Sequence, residues 1–167
     1  VISSTGYNSR ELMYLRDKFK IKNSSDFYMV GGMGHAASVA LGYSLASKKK
    51  IVCIDGDGSL LMHLGSIKTA GSFAGKNFKY IVLNNNSHDS VGGQNTYAND
   101  IDFEKLSKSL GFKKFYSIKS DKDLKANIQK FLNGNTLNFL EVKVSNSKIK
   151  KLPRPTNLIQ IKKLFMK

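Results

Sequence analysis

Two acids separated by glycine, in Asp55-Gly56-Asp57-Gly58-Ser59, follow the apolar run Ile51-Val52-Cys53-Ile54. Three carboxamides, Asn84-Asn85-Asn86, follow a second apolar run, Tyr80-Ile81-Val82-Leu83, with 25 residues (59–83) between Gly58 and Asn84. Runs of this kind read as strands buried on both faces. In a parallel sheet their carboxyl ends meet at one edge, where ligands bind. A carboxylate and a neutral amide oxygen brought together there suit a hard cation. Mg²⁺ takes oxygen ligands in an octahedron and is commonly shared with substrate phosphates. Gly58-Ser59 then opens a helix, and a helix amino end attracts phosphate. The pattern reads as a site for a metal-bridged diphosphate.

Other chemistry competes for the same residues. Gly32-Met33-Gly34-His35-Ala36-Ala37 fits the G-x-G-x-x-A dinucleotide fingerprint, and Asp55 follows where a ribose-binding acid would stand. Against this, the fingerprint is not on the first strand, a second glycine motif directly follows Asp55, and Asn84-Asn85 has no part in that scheme. Asp57 alone could simply cap a helix, and Asn84-Asn85-Asn86 could be a turn. His88-Asp89-Ser90 is not a hydrolytic triad, because the side chains of consecutive residues diverge. His35 and His63 stand among apolar residues on expected helices, where packing accounts for His63. No cysteine or histidine cluster has zinc spacing.

The elements that must position these residues alternate regularly. The pattern predicts strands at 1–3, 27–30, 51–54, 80–83, 115–118 and 139–144. It predicts helices from about Asn8, over 36–46, over 60–73, around Phe103, Leu106 and Leu110, and after a Ser120 cap with Leu124, Ile128 and Leu132 on one side. Asn8, with Glu11 three residues on, has the form of a capping box, and Leu12, Leu15 and Phe19 recur at helical spacing. Residues 23–26 read as a polar loop, 31–34 as a glycine turn and 84–99 as a long polar loop. The expected fold is α/β, three layers (α-β-α) around a mostly parallel sheet. We expect one domain over 1–147 and a tail over 148–167, opened by the lysines of 148–151 and by Pro153 and Pro155, packing on the domain or on a neighbour.

Composition narrows the classes. No apolar run approaches the ~20 residues a membrane helix requires. The chain starts Val1-Ile2-Ser3, which reads as a cut between domains rather than a signal peptide. The single cysteine, Cys53, lies in an apolar strand, which suits a small core residue in a reducing, cytoplasmic setting. The net charge of +15 invites a nucleic-acid partner. Of the 27 basic residues, however, only Arg10, Arg16 and Arg154 are arginines, and base readout favours arginine. The lysines are scattered rather than gathered in a stripe, so neither nucleic acid nor membrane is expected as a partner.

The Gly-Asp-Gly to Asn-Asn spacing resembles the signature of thiamine diphosphate enzymes. Ser3-Ser4-Thr5-Gly6-Tyr7-Asn8-Ser9-Arg10-Glu11-Leu12, Tyr28-Met29-Val30-Gly31-Gly32-Met33-Gly34-His35-Ala36 and Leu83-Asn84-Asn85-Asn86-Ser87-His88-Asp89-Ser90-Val91-Gly92-Gly93-Gln94 resemble the phosphonopyruvate decarboxylase family, as does Arg154-Pro155-Thr156. The resemblance covers only that family's carboxyl-terminal, diphosphate-binding domain. It implies a carbon–carbon lyase converting phosphonopyruvate to phosphonoacetaldehyde in phosphonate biosynthesis, with thiamine diphosphate and Mg²⁺ as cofactors. It implies Asp57, Asn85 and the Ser87 carbonyl as metal ligands. Gly58, Ser59 and the turn Thr5, Gly6, Tyr7 and Asn8 would hold the diphosphate. Met33 would wedge between the cofactor rings, the carbonyl of Gly31, beside Gly32, would meet the aminopyrimidine, and His88, Asp89 and Ser90 would face the substrate. Asn95 stands where that family commonly has proline. The family's activating glutamate belongs to a pyrimidine-binding domain, so the resemblance implies that domain, on the same or another chain, and a homo-oligomer as partners. It also implies that this chain is inactive alone. Sulfopyruvate decarboxylase, whose cofactor subunit is a separate chain that usually carries tyrosine at the His88 position, is the alternative enzyme. A non-catalytic nucleotide- or dinucleotide-binding module is the alternative of another class.

Overall fold

Alternating apolar strands and helices give a sheet covered on both faces. The computed structural model of the chain describes residues 1–21, 25–146, 149 and 151–166. Six strands, β1 (Ile2–Ser3), β2 (Phe27–Tyr28), β3 (Ile51–Gly56), β4 (Phe78–Asn84), β5 (Lys114–Ile118) and β6 (Asn138–Lys143), form one sheet in the order β2-β1-β3-β4-β6-β5. Every neighbouring pair is parallel. β4 is buried almost throughout, as a central strand must be. From β1 the chain goes to β2 on one side and then to β3 on the other. The carboxyl ends of β1 and β3 therefore flank a switch point, where loops part and leave a crevice.

The two faces differ in depth. Ile2, Ile51, Cys53, Tyr80, Val82 and Phe139 point into a large core roofed by α2 (Ala36–Ala46), α4 (Leu64–Phe73) and α5 (Phe103–Leu110). On the other face Ile81, Leu140 and Ile118 meet Phe131 of α6 (Asp121–Asn133) in a smaller cluster. On that second face, over β1, α1 (Tyr7–Lys18) buries only Ser9, whose hydroxyl lies 2.9 Å from that of Ser3. The last helix, α7 (Leu158–Phe165), brings Phe165 against Phe27 and Tyr43. Residues 23–24 of the expected polar loop, and Lys148, Lys150 and Lys167 of the expected tail, lie outside the described residues.

Two expectations are corrected. Asn8 does not cap α1. Gly6, at φ 88°, turns the chain early, so the helix begins at Tyr7 and the Asn8 amide donates to Ser4 Oγ at 3.0 Å. The helix expected over 60–73 is two helices, α3 (Asp57–Met62) and α4, broken at His63 (φ −134°, ψ 51°). The break is tertiary in origin. His63 packs on Gly34 so closely that a Cβ at Gly34 would lie 2.8 Å from its ring. The Ser120 cap forms as expected, accepting from the Asp123 N–H.

Candidate functional site

The carboxyl ends of β1, β3, β4 and β6 surround a cavity of about 320 Å³. Thr5, Tyr7 and Asn8 reach it after β1. Asp57, Gly58 and Ser59 reach it after β3, and Asn85, Ser87, His88, Asp89 and Ser90 after β4; Met33 completes this set. Three expected residues are not on its wall. Gly6 abuts Ser90, whose Oγ would lie 2.8 Å from a Cβ placed there. The Gly31 N–H donates to Thr5 Oγ1 at 3.1 Å. Gly32, at φ 61°, lies against Met29.

Two oxygen-bearing side chains are held in fixed orientation. Asp57 is 2% exposed, and Thr96 Oγ1 donates to its Oδ2 at 2.5 Å. Asn85 Oδ1 accepts from the Ser87 N–H at 3.1 Å, while its amide nitrogen donates to Asp89 Oδ2 at 3.2 Å. Ser87 Oγ donates to the other oxygen of Asp89 at 3.0 Å. Asp89 thus turns toward the two residues beside it. His88 packs its ring over Gly58, where any Cβ would collide with it. Among the described residues no group of three or more His, Cys, Asp or Glu is placed to hold a metal ion. Between the ends of β3 and β4 the cavity offers the Asp57 carboxylate, the Asn85 carboxamide and backbone oxygen.

Beneath this wall lies Asp55, fully buried. Burial pushes its carboxyl above the usual range, against hydrogen bonds with Ser59, Tyr80, Gly56 and Ser4. Tyr80 Oη donates to it at 2.8 Å. A carboxylate so enclosed has no face for a ribose, which counts against the dinucleotide reading. Ser59 also accepts the Gly34 N–H at 2.9 Å and so joins the glycine turn to α3.

The loop after β4 closes on itself. Ser87 bridges Asn95, and the His88 N–H donates to the Gln94 carbonyl at 2.8 Å, so 88–94 is a tip on a pinned neck. Several wall residues escape a reading of the sequence. Glu11, one turn beyond Tyr7 on α1, faces the cavity, and partial burial raises its carboxyl's pKa; its i+4 spacing was a usable signal. Ser4 and, after β6, Val144, Ser145 and Ile149 join the wall because parallel strands end together. Thr96 has no local signal for its bond to Asp57. No lysine or arginine among the described residues lines the cavity.

Residues 5–142 match the family described as thiamine pyrophosphate enzyme, C-terminal TPP binding domain. The chain is 43% identical over 124 residues to a phosphonopyruvate decarboxylase of Streptomyces viridochromogenes, covering 74% of this chain and 30% of that protein. It is 40% identical over 112 residues to a sulfopyruvate decarboxylase subunit beta of Methanothermobacter thermautotrophicus, covering 67% of this chain and 58% of that subunit. An X-ray structure described as a thiamin diphosphate-dependent enzyme, from Mycobacterium smegmatis, shares the fold with a TM-score of 0.61 at 20% identity, over 86% of this chain and 28% of that one. No described helix is long and apolar enough to cross a membrane. By its family match and its relatives, the chain belongs to the thiamine pyrophosphate enzymes and carries their C-terminal cofactor-binding domain.

Proposed function

We propose that this chain is the diphosphate- and Mg²⁺-binding part of a cytoplasmic 2-oxoacid decarboxylase that converts phosphonopyruvate to phosphonoacetaldehyde and carbon dioxide. One observation carries the metal. The cavity wall is acidic, with Glu11, Asp57 and Asp89, and has no lysine or arginine among the described residues. A diphosphate entering it needs a cation between itself and Asp57. The donors fit Mg²⁺ rather than a softer metal, being a carboxylate, an amide oxygen and a backbone carbonyl.

The residues take these parts. Asp57, Asn85 and the Ser87 carbonyl hold Mg²⁺. The Thr96 hydroxyl orients one ligand, and Asp89, by fixing the Asn85 amide nitrogen, turns the amide oxygen of the other toward the ion. Gly58 and Ser59 lie in the first turn of α3, where N–H groups have no intrahelical acceptor and bind diphosphate oxygens. Thr5, Gly6, Tyr7 and Asn8 hold the same group from the β1 side. Met33 would wedge against the bound cofactor, and the Gly31 carbonyl, beside Gly32, would accept from its aminopyrimidine. His88 and Ser90 face the oxoacid. Bound thiamine diphosphate supplies an electron sink for the pair released as carbon dioxide leaves, a chemistry the side chains lack.

A pyrimidine-binding domain, on this or another chain of a homo-oligomer, completes the site. The short coverage of the relatives supports this, since the chain spans 30% of one and 58% of another. So do the exposed apolar residues Val30 and Val91, on the segments that carry Gly31 and Asp89. Residues 1–147 form the cofactor-binding domain and 148–167 its tail. The test is turnover by the complete two-domain assembly on both oxoacids. Carbon dioxide release from phosphonopyruvate, lost in EDTA and restored by Mg²⁺, is the expected result, with no release by the lone chain. A preference for sulfopyruvate makes it the sulfonate enzyme. No release from either oxoacid overturns the reading.

A further inference from the structure

Asn85 is bracketed by two residues that are themselves tied to β6. Asn84 is buried, and its amide nitrogen donates to Glu141 Oε1 at 2.9 Å. Its amide oxygen accepts the Asn86 N–H at 3.1 Å. Asn86, at φ 58°, accepts the Asn99 N–H on its own side-chain oxygen at 3.0 Å. The Asn99 oxygen accepts from Lys143 Nζ at 2.7 Å, and Lys143 pairs with Glu141 Oε1 at 3.0 Å. The bonds close a ring: Glu141, Asn84, Asn86, Asn99, Lys143. It holds both ends of the loop that carries Asn85, Ser87 and Thr96.

The fold alone does not call for this ring. Glu141 and Lys143 alternate with Leu140 and Val142 on β6 and so lie on the face of the large core, beside Val82 and Asn84 in register. Apolar residues in place of Glu141, Lys143 and Asn84 together would extend that core, and well-packed apolar replacement of a whole ion pair is often neutral or stabilising, whereas removal of one partner is not. A carboxylate only 6% exposed earns its place by what it orients. We propose that Glu141 and Lys143 are positioning residues for the cation site, fixing Asn85 and the Ser87 carbonyl relative to Asp57. This rests on the reading of Asp57, Asn85 and Ser87 as ligands. Neither residue touches the ion; each acts through the amide ring.

The test is calorimetric titration of the full two-domain assembly with MgCl₂ at fixed thiamine diphosphate, paired with thermal melts in EDTA. Glu141→Leu and Lys143→Met are expected to raise the half-saturating Mg²⁺ by ~10–100-fold, the range typical of lost outer partners of metal ligands. Glu141→Gln keeps the acceptor for Asn84 but loses the charge facing Lys143, so it falls between those variants and wild type. Saturating Mg²⁺ restores full cofactor stoichiometry in all three. If Glu141→Leu does not fold, Glu141→Gln and Lys143→Met carry the test. A lowered melting temperature in EDTA with an unmoved half-saturation makes the ring merely structural and overturns the proposal. Asp57→Ala separates the two readings. If it abolishes the Mg²⁺ dependence while the β6 variants leave half-saturation unmoved, the positioning role alone falls. If it too leaves the dependence intact, the ligand assignment falls and the proposal with it.

Discussion

β4 buries a polar side chain near each end. At its amino end Lys79 is 1% exposed and donates to the carbonyls of Gly134 and Thr136 at 2.6 and 2.7 Å. At its carboxyl end Asn84 is 2% exposed and bonds to Glu141 and Asn86. Lys79 closes on two backbone carbonyls, away from the cavity. Asn84 closes on a side chain and on the backbone of a residue that turns the chain around Asn85. Burial and satisfaction look alike at the two ends. What differs is the direction in which the bonds lead: into the turn after α6, or toward a cavity. The comparison implies that damage at the amino end costs stability, while damage at the carboxyl end costs binding and turnover.

The largest break should come at Asp57. Asp57→Ala is expected to abolish Mg²⁺-dependent binding of thiamine diphosphate in the full assembly, and Asn85→Ala to weaken it markedly, since each removes an oxygen from an octahedral set. Unchanged affinity by calorimetry in both would dissolve the contrast. Met33 is next. It is half-exposed on the cavity wall, so Met33→Ala should cost less than the 2–5 kcal/mol, roughly, of a core truncation. Turnover should fall by about 100-fold if the residue sets cofactor geometry. Normal turnover with an unchanged melting temperature would remove Met33 from the site.

Lys79 tests the other end. Lys79→Met leaves two carbonyls without donors, at about 1–3 kcal/mol each, and should lower the melting temperature without moving the Mg²⁺ half-saturation. Its titration sharpens the point. Burial, with nearby Lys50, lowers its pKa to about 8 from 10.5. Between those values the unfolded chain holds more protons than the folded one, so stability contributed by this group rises with pH through that window. The neutral amine still has two N–H groups for its two carbonyls. Urea unfolding of wild type and Lys79→Met should diverge from pH 8 to 10: the wild type gains relative to the less stable variant as pH rises. A constant gap would contradict the assignment. The smallest effect is expected at Arg10, which donates to the carbonyls of Leu152 and Pro153 at 2.8 and 3.2 Å and lies over the Tyr7 ring. Arg10→Met should cost about 1 kcal/mol and speed amide exchange around Leu152.

Local signals carried the order of elements and the two motifs at the ends of β3 and β4, because apolar runs and glycine turns are written in consecutive residues. They failed where a distant contact decides. The break at His63 lies against Gly34, and α1 starts after Gly6 at positive φ, ahead of the better capping residue Asn8 two positions on. Thr96 on Asp57, and Glu141 and Lys143 beneath the amide run, have no mark in their own neighbourhoods. Lys79 inside a strand reads as a solvent-facing lysine until the turn at 134–136 folds over it. The residues that line the cavity at the ends of β3 and β4 were legible; Thr96 on Asp57 and Glu141 on Asn84, bonds from distant segments, were not.

The pinned neck at Ser87–Asn95 has a consequence for descent rather than for chemistry. Below the neck, Asn84, Asn86 and Asn99 are committed to the ring on β6, and Thr96 to Asp57. Above it, Val91 is exposed and Gly92 and Gly93 take positive φ, so little in the core depends on their identity. A lineage can rewrite 91–93 while keeping the contacts of His88, Asp89 and Ser90 with the rest of the loop and with Gly58 and Gly6. Change there leaves the packing of both cores in place, because neither cluster draws on residues 91–93.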